Sequence, residues 1–261
     1  MVFYRKNLLG IRESDELEET IAANTFGNVI HETLENLYLP LKGELLNKDH
    51  LARMKDEASM ELQKAFQGNY LKGNPARGKN LIALKVMGKY LEMFFEMESS
   101  RIRRHEVRIL GVEEELRRKL SDIPGLGFPV WLKGTVDRIE EVDGQLQIID
   151  YKTGRVEPTN LRISNWEDLL LDPAKSKAFQ VLCYSWLIQG QQTYSNSGFK
   201  AGVFSFKRTA RGFQWYGHQV EKRTYDEFVT GEVLEQFQAT LESLIREIFN
   251  PEIPIAQPQL N

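Results

Sequence analysis

The sequence predicts an α/β fold with a central mixed β-sheet flanked by helices and an additional helical region on its N-terminal side. Three observations carry this. Apolar residues recur at helical spacing up to about residue 105, then alternate singly from about residue 106. Two alternating runs, Phe128 to Val142 and Gln145 to Lys152, meet at Asp143-Gly144, the pair most favoured for a two-residue hairpin turn. Finally, a strong helical pattern from Ala174 to Ile188 is embedded among the strands.

The elements follow in order. Val2 to Gly10 is apolar and basic together. Ser14 ahead of Glu16 and Glu18 caps a short helix running to about Ala23. Asn24 or Thr25 caps a second helix to Tyr38, with Phe26, Ile30, Leu34, Leu37 and Tyr38 on one stripe and Pro40 and Gly43 closing it. His50 to Phe66 and Lys79 to Ser99 read as two more helices, separated by Gly68, Gly73, Pro75 and Gly78. A first strand runs through Val107, Ile109, Gly111, Glu113 and Glu115, ahead of the hairpin. Gly154 to Asp172 is polar but too long for a plain loop in a compact domain. Phe199 to Phe206 and Phe213 to Val220 are strands, Thr224 or Asp226 opens a last helix to Phe249, and a Pro-rich tail follows. One domain over 1–261 is expected, about 12–105 mainly helical and about 106–250 the sheet core with flanking helices.

Composition narrows the function classes. At 41% hydrophobic and 27% charged the chain has an ordinary globular balance. A net charge of −3 gives no molecule-wide attraction for nucleic acid, so any such surface must be local. The single cysteine, Cys183, excludes an internal disulfide framework and points to a reducing, cytoplasmic setting. No apolar run approaches the ~20 residues of a membrane span, and no signal-peptide core opens the chain.

The chemistry gathers on the hairpin. With Asp143-Gly144 as the loop, Val142 faces Gln145, Ile139 faces Ile148 and Asp137 faces Asp150. Asp137, Ile139, Ile148, Asp150 and Lys152 then share one face. Opposed carboxylates beside isoleucines call for a cation or a shared proton, and oxygen donors favour Mg²⁺ or Mn²⁺ over Zn²⁺. An Asp-x-Lys on a strand is by itself often only a solvated, alternating face; Gly134 and Gly154 flanking the pair weigh against that here. Glu113, Glu114 and Glu115 offer a further carboxylate but rank below the hairpin. His31 lies one turn after Gly27, and Gln180 and Tyr184 share a helix face beside a buried stripe that includes Cys183. Each of these alone is as readily structural. Cys183 is a core residue rather than a nucleophile, since nothing near it would lower its pKa. Lys72, Arg77, Lys79, Lys85, Lys89, Arg101, Arg103, Arg104 and Arg108, interleaved with Tyr70, Tyr90, Phe94 and Phe95, form either a solvated helical face or a phosphate-contacting surface.

Taken together, Gly27-x-x-x-His31, Gly134-x-x-Asp137-Arg138-Ile139, Ile149-Asp150-Tyr151-Lys152-Thr153-Gly154 and Gln180-x-x-x-Tyr184 resemble the RecB-like branch of the PD-(D/E)XK nuclease superfamily in wording, order and spacing. The resemblance implies a restriction-endonuclease-like core and metal-dependent hydrolysis of DNA phosphodiesters. The enzyme would be exonuclease-like, acting in repair or recombination on single-stranded ends. It further implies that His31, Asp137 and Asp150 ligate Mg²⁺ or Mn²⁺, with the Tyr151 carbonyl as an extra ligand. Lys152 would position water and stabilise charge, and Gln180 and Tyr184 would orient the substrate. Phe3 to Gly10 resembles an opening motif of such domains in larger proteins. Ile248 to Pro254 is similar to what precedes the iron–sulfur cysteines of AddB-like members. The expectation is therefore a nuclease domain of a longer protein, linked to a helicase domain or subunit. Cys183 alone cannot hold an iron–sulfur cluster. Two rivals stand beside this reading. One is a nucleic-acid-binding module with little catalysis in isolation; the other is an unrelated metal-binding domain, which a His31 placed away from the aspartates would favour.

Overall fold

The structure is a computed structural model that describes residues 22–70, 78–120, 123–191 and 198–253. Asp143 and Gly144 take φ of 51° and 81°, the positive pair that a type I′ turn requires. They fold β2 (Trp131–Val142) onto β3 (Gln145–Lys152) with Val142 opposite Gln145 and Ile139 opposite Ile148. β1 (Val107–Lys119) pairs antiparallel with β2, and β5 (Phe199–Ser205) pairs parallel with β3. β6 (Phe213–Trp215) and β9 (Phe228–Val229) add antiparallel to β5, so the curled mixed sheet runs β1-β2-β3-β5-β6 with β9 also on β5. A small second sheet joins β4 (Arg162–Ile163), β7 (Gly217–Glu221) and β8 (Thr224–Asp226).

Each face of the main sheet has its own core. α1 (Ala23–Tyr38), α2 (Lys48–Asn69) and α3 (Gly78–Arg101) pack with Ile149, Tyr151, Phe204 and Phe206. α5 (Ser176–Gln189) and α6 (Gly231–Ile248) cover the other face over Ile139, Ile148, Ala201 and Val203. Successive residues of β3 therefore feed opposite cores, Ile149 and Tyr151 to one and Ile148 to the other. Covered on both faces, the carboxyl end of β3 leaves Asp150 only 2% exposed.

Several expectations shift. The helix from Ser14 lies almost wholly outside the described residues. α1 starts at Ala23 behind Ala22, without a side-chain cap, so Asn24 and Thr25 sit inside its first turn. The segment after Gly154 contains a 3₁₀ turn (Pro158–Asn160), β4 and α4 (Asp168–Leu171), which explains its length. The run from Phe213 divides at Tyr216, its two halves joining different sheets. Thr224 and Asp226 belong to β8; the last helix begins at Gly231, where the Thr230 hydroxyl accepts the Val233 N–H.

The basic, aromatic set around α3 is divided: Lys79, Lys85, Lys89, Arg103, Arg104 and Arg108 are exposed, Lys72 and Arg77 lie outside the described residues, and most of the aromatics turn inward. Phe94, Phe95 and Tyr70 are core residues. Arg101 is buried among Glu98, Glu140 and the Gln147 side-chain oxygen, 3.0 Å from the last. Arg138 completes this cluster, 2.9 Å from Glu98 and 2.5 Å from Glu140, with Tyr38 donating to Glu98 at 3.0 Å. Two cations and two anions thus tie α1, α3 and the hairpin together beneath the site.

Close approach sets one position in the sheet. A Cβ on Gly202 would collide with the Gln214 carbonyl and stand 2.8 Å from the Trp215 ring. Because backbone must move, Gly202→Ala should cost about 1–3 kcal/mol, read as a lowered denaturation midpoint. An unchanged midpoint would show that β6 can slide away freely. Among the described residues, no helix is long and apolar enough to cross a membrane.

Candidate active site

The site begins where the β2–β3 ladder stops, at Arg138 opposite Ile149. The next step would set Asp137 against Asp150. Instead the Asp137 carboxylate accepts the Tyr151 backbone N–H at 2.6 Å, a side chain standing in for a strand acceptor. Asp137 is thereby locked in place and 7% exposed. Lys152 stands 3.0 Å from one oxygen of Asp150 and 2.7 Å from the other, and stays partly open to solvent.

α1 brings His31 to the same place. Its Nε2 donates to the Tyr151 carbonyl at 2.9 Å. Its Nδ1 faces Asp137 at 3.5 Å and Glu113 at 3.8 Å. His31 is therefore not placed apart from the aspartates, and the Tyr151 carbonyl, assigned to a metal by resemblance, accepts from the imidazole. Glu113, ranked low from sequence, arrives through irregular backbone. β1 shifts register between Ile109 and Gly111, and Glu113 itself takes φ of 47°. Of its neighbours, Glu114 pairs with Lys42.

The electrostatics describe a site short of positive charge. Burial alone would lower the His31 pKa, but hydrogen bonding to Asp137 and Glu113 outweighs it and lifts the value to about 10. Burial and the neighbouring Asp137 charge raise Asp150 to about 7 against the pull of Lys152. One donor atom from each of His31, Glu113 and Asp137 lies within 4.8 Å of the others. An imidazole nitrogen with carboxylate oxygens is a donor set that fits a divalent ion. Asp150 stands beside this triad, held by Lys152, rather than within it.

α5 closes the other side. Gln180 donates through Nε2 to the Tyr184 hydroxyl at 2.7 Å. The Tyr184 ring lies over Gly134, where a Cβ would come 3.1 Å from Cε1. Burial raises the Tyr184 pKa, and the Asp150 charge raises it further, so the phenol keeps its proton. Cys183 packs against the core on this helix, and burial pushes its thiol up to about 12. That is the opposite of an activated nucleophile.

No match to the chain was found among curated proteins. A family model, that of the PD-(D/E)XK nuclease superfamily, matches residues 1–259. The sheet, with an antiparallel hairpin, a parallel β5 and helices on both faces, is the restriction-endonuclease-like core of that family. The chain therefore belongs to the PD-(D/E)XK nucleases, enzymes that cut nucleic acid with divalent metals.

Proposed function

We propose that the protein is a Mg²⁺- or Mn²⁺-dependent deoxyribonuclease whose metal is held by His31, Asp137 and Asp150, with Glu113 as a further ligand, and whose catalytic residues are Lys152, Gln180 and Tyr184. The observation that carries this is the meeting of the His31–Glu113–Asp137 donor set with the Asp150–Lys152 pair at the end of one strand. A divalent ion bound there supplies a Lewis acid for a phosphoryl oxygen and lowers the pKa of its water.

The residues divide the remaining work. His31, with its Nε2–H anchored on the Tyr151 carbonyl, turns Nδ1 toward the carboxylates, where its neutral form offers a lone pair. The Lys152 ammonium has three donors and gives one to Asp150 Oδ1. The ammonium also lies 2.7 Å from Asp150 Oδ2, and its solvent-open side orients the attacking water and stabilises a non-bridging phosphate oxygen as the P–O bond to the leaving group breaks. Gln180 fills one hydrogen-bonding position of the Tyr184 hydroxyl, which leaves its O–H to donate toward a strand lying across α5.

The finer reading is an exonuclease-like enzyme of DNA repair or recombination, RecB/AddB-like, cytoplasmic, acting on single-stranded ends beside a helicase domain or subunit. It rests on the motif wording and on the resemblance of both terminal segments. The test is degradation of end-labelled single strands, linear and circular, with Mg²⁺, Mn²⁺ or EDTA. Metal-dependent loss of the linear strand alone, abolished by Asp150→Ala, is expected. Cutting of the circle would remove the exonuclease assignment, and activity surviving Asp150→Ala would remove the site.

Glu113 has its own signature. Glu113→Gln should weaken Mn²⁺ binding by titration calorimetry at least as much as the roughly 10- to 100-fold typical of outer-shell changes. Unchanged affinity would place Glu113 outside the metal shell.

A further inference from the structure

Three guanidinium groups converge on one carboxylate just beyond the proposed catalytic strand. Glu157 Oε1 meets Arg155 and lies 2.6 Å from Arg208 Nη2, while its Oε2 lies 3.2 Å from Arg211 Nη1. One negative charge faces three positive ones, so the cluster carries an excess of two. None of the three arginines is buried: their side chains are 65%, 30% and 43% exposed for Arg155, Arg208 and Arg211. Lys207, in the same 3₁₀ turn (Phe206–Arg211), is exposed as well.

The fold fixes this cluster next to Lys152. Arg155 follows it by three residues, and three residues of chain span at most about 10 Å. Arg208 and Arg211 sit on the turn that leaves the end of β5, where Ser205 pairs with Lys152. The Ser205 hydroxyl donates to the Gly154 carbonyl at 2.8 Å, which pins the two chain segments together. A structural ion pair needs one cation per carboxylate. Three planar forks with unused donors, open to solvent at the carboxyl ends of parallel strands, are arranged for a multivalent oxyanion.

We propose that Arg155, Arg208 and Arg211 bind a backbone phosphate of the DNA strand adjacent to the bond that Lys152 serves, with Glu157 orienting the guanidiniums before the strand arrives. This rests on the nuclease reading for its ligand but uses none of the same residues. The contact is sequence-independent, since phosphates position a strand without identifying its bases.

The test is equilibrium binding of a labelled oligothymidylate to the full chain over a salt series, with EDTA present to prevent cutting. Arg155→Gln, Arg208→Gln and Arg211→Gln are compared with Lys64→Gln and Lys89→Gln, which remove charge from α2 and α3. Each cluster substitution should lower the slope of log affinity against log salt by about 0.7, with roughly tenfold weaker binding for the Arg208–Arg211 double variant. Arg155 touches Glu157 through an exposed side chain, so its variant reads the site even if the turn variants unfold. Slopes equal to wild type, or lowered equally by the α2 and α3 controls, would overturn the proposal. Arginine-dependent slopes without cleavage in Mg²⁺ or Mn²⁺ would uphold this site while removing the nuclease reading. Normal cleavage with unchanged slopes would do the reverse.

Discussion

Lys152→Ala should lower single-turnover cleavage of a labelled single strand by about 10²–10³-fold while leaving Mn²⁺ affinity within a few-fold of wild type. Lys152 is a partly solvent-open cation, 3.0 Å from Asp150 Oδ1 and outside the His31–Glu113–Asp137 donor set. Its loss removes a donor aimed at developing negative charge but none of the metal donors. Asp137→Ala should behave differently: it deletes a donor and also frees the Tyr151 N–H that the carboxylate accepts. That variant should lose metal affinity and activity together. If Lys152→Ala weakened metal binding as severely as Asp137→Ala, the lysine would be holding the ligands rather than serving the reaction. Lys152→Arg should restore little, because a guanidinium would take the Asp150 carboxylate as a fork and present its remaining donors at a different reach from a compact ammonium.

These residues were legible to different degrees. The Asp143-Gly144 turn sets register through local backbone chemistry, and register carries Asp137, Asp150 and Lys152 to one end of the hairpin. Gln180 and Tyr184 could be paired from helical spacing alone. Glu113 could not. It reaches His31 through a register shift and a left-handed backbone, which period-2 alternation does not encode. The Gly111 inside a strand pattern was the available signal, since an interior glycine marks bulges. The burial of Arg101 was not legible for a related reason. Its partners Glu140 and Gln147 lie 39 and 46 residues away, beyond any local pattern, so the sequence offers it only as a solvated or phosphate-contacting charge. The expected start of the last helix, Thr224 or Asp226, falls too early. Both residues pair in β8, β9 follows, and these non-local strand pairings hold the helix back to Gly231 behind Thr230.

The largest effect on stability is expected at the buried ion cluster. Glu98→Ala or Arg138→Ala should each cost about 3–5 kcal/mol, because either leaves the buried two-plus-two cluster with an unbalanced charge. At this chain length that lowers the denaturation midpoint by roughly 6–20 °C. Arg138→Ala also loses the cation over the Tyr38 ring and the hydrogen bond to the Tyr151 hydroxyl at 3.3 Å. Removing both charges at once, as Glu98→Leu with Arg138→Met, should cost less than either alanine variant, since no orphan charge remains. Acidification gives an independent reading. Burial pushes the Glu98 carboxyl up, but the Arg138 and Arg101 charges outweigh this and hold it below the usual carboxylate range. A depressed folded pKa contributes stability that is full above the unfolded value near 4.5 and is lost as pH falls through the folded one. Wild type should therefore lose stability below about pH 4.5, and the Leu–Met variant should lose less over the same interval. Equal losses in both would place the acid-sensitive carboxylates elsewhere. Because Tyr151 carries both the Arg138 contact and the carbonyl that orients His31, the alanine variants should lose cleavage at temperatures where their remaining helix content is still intact.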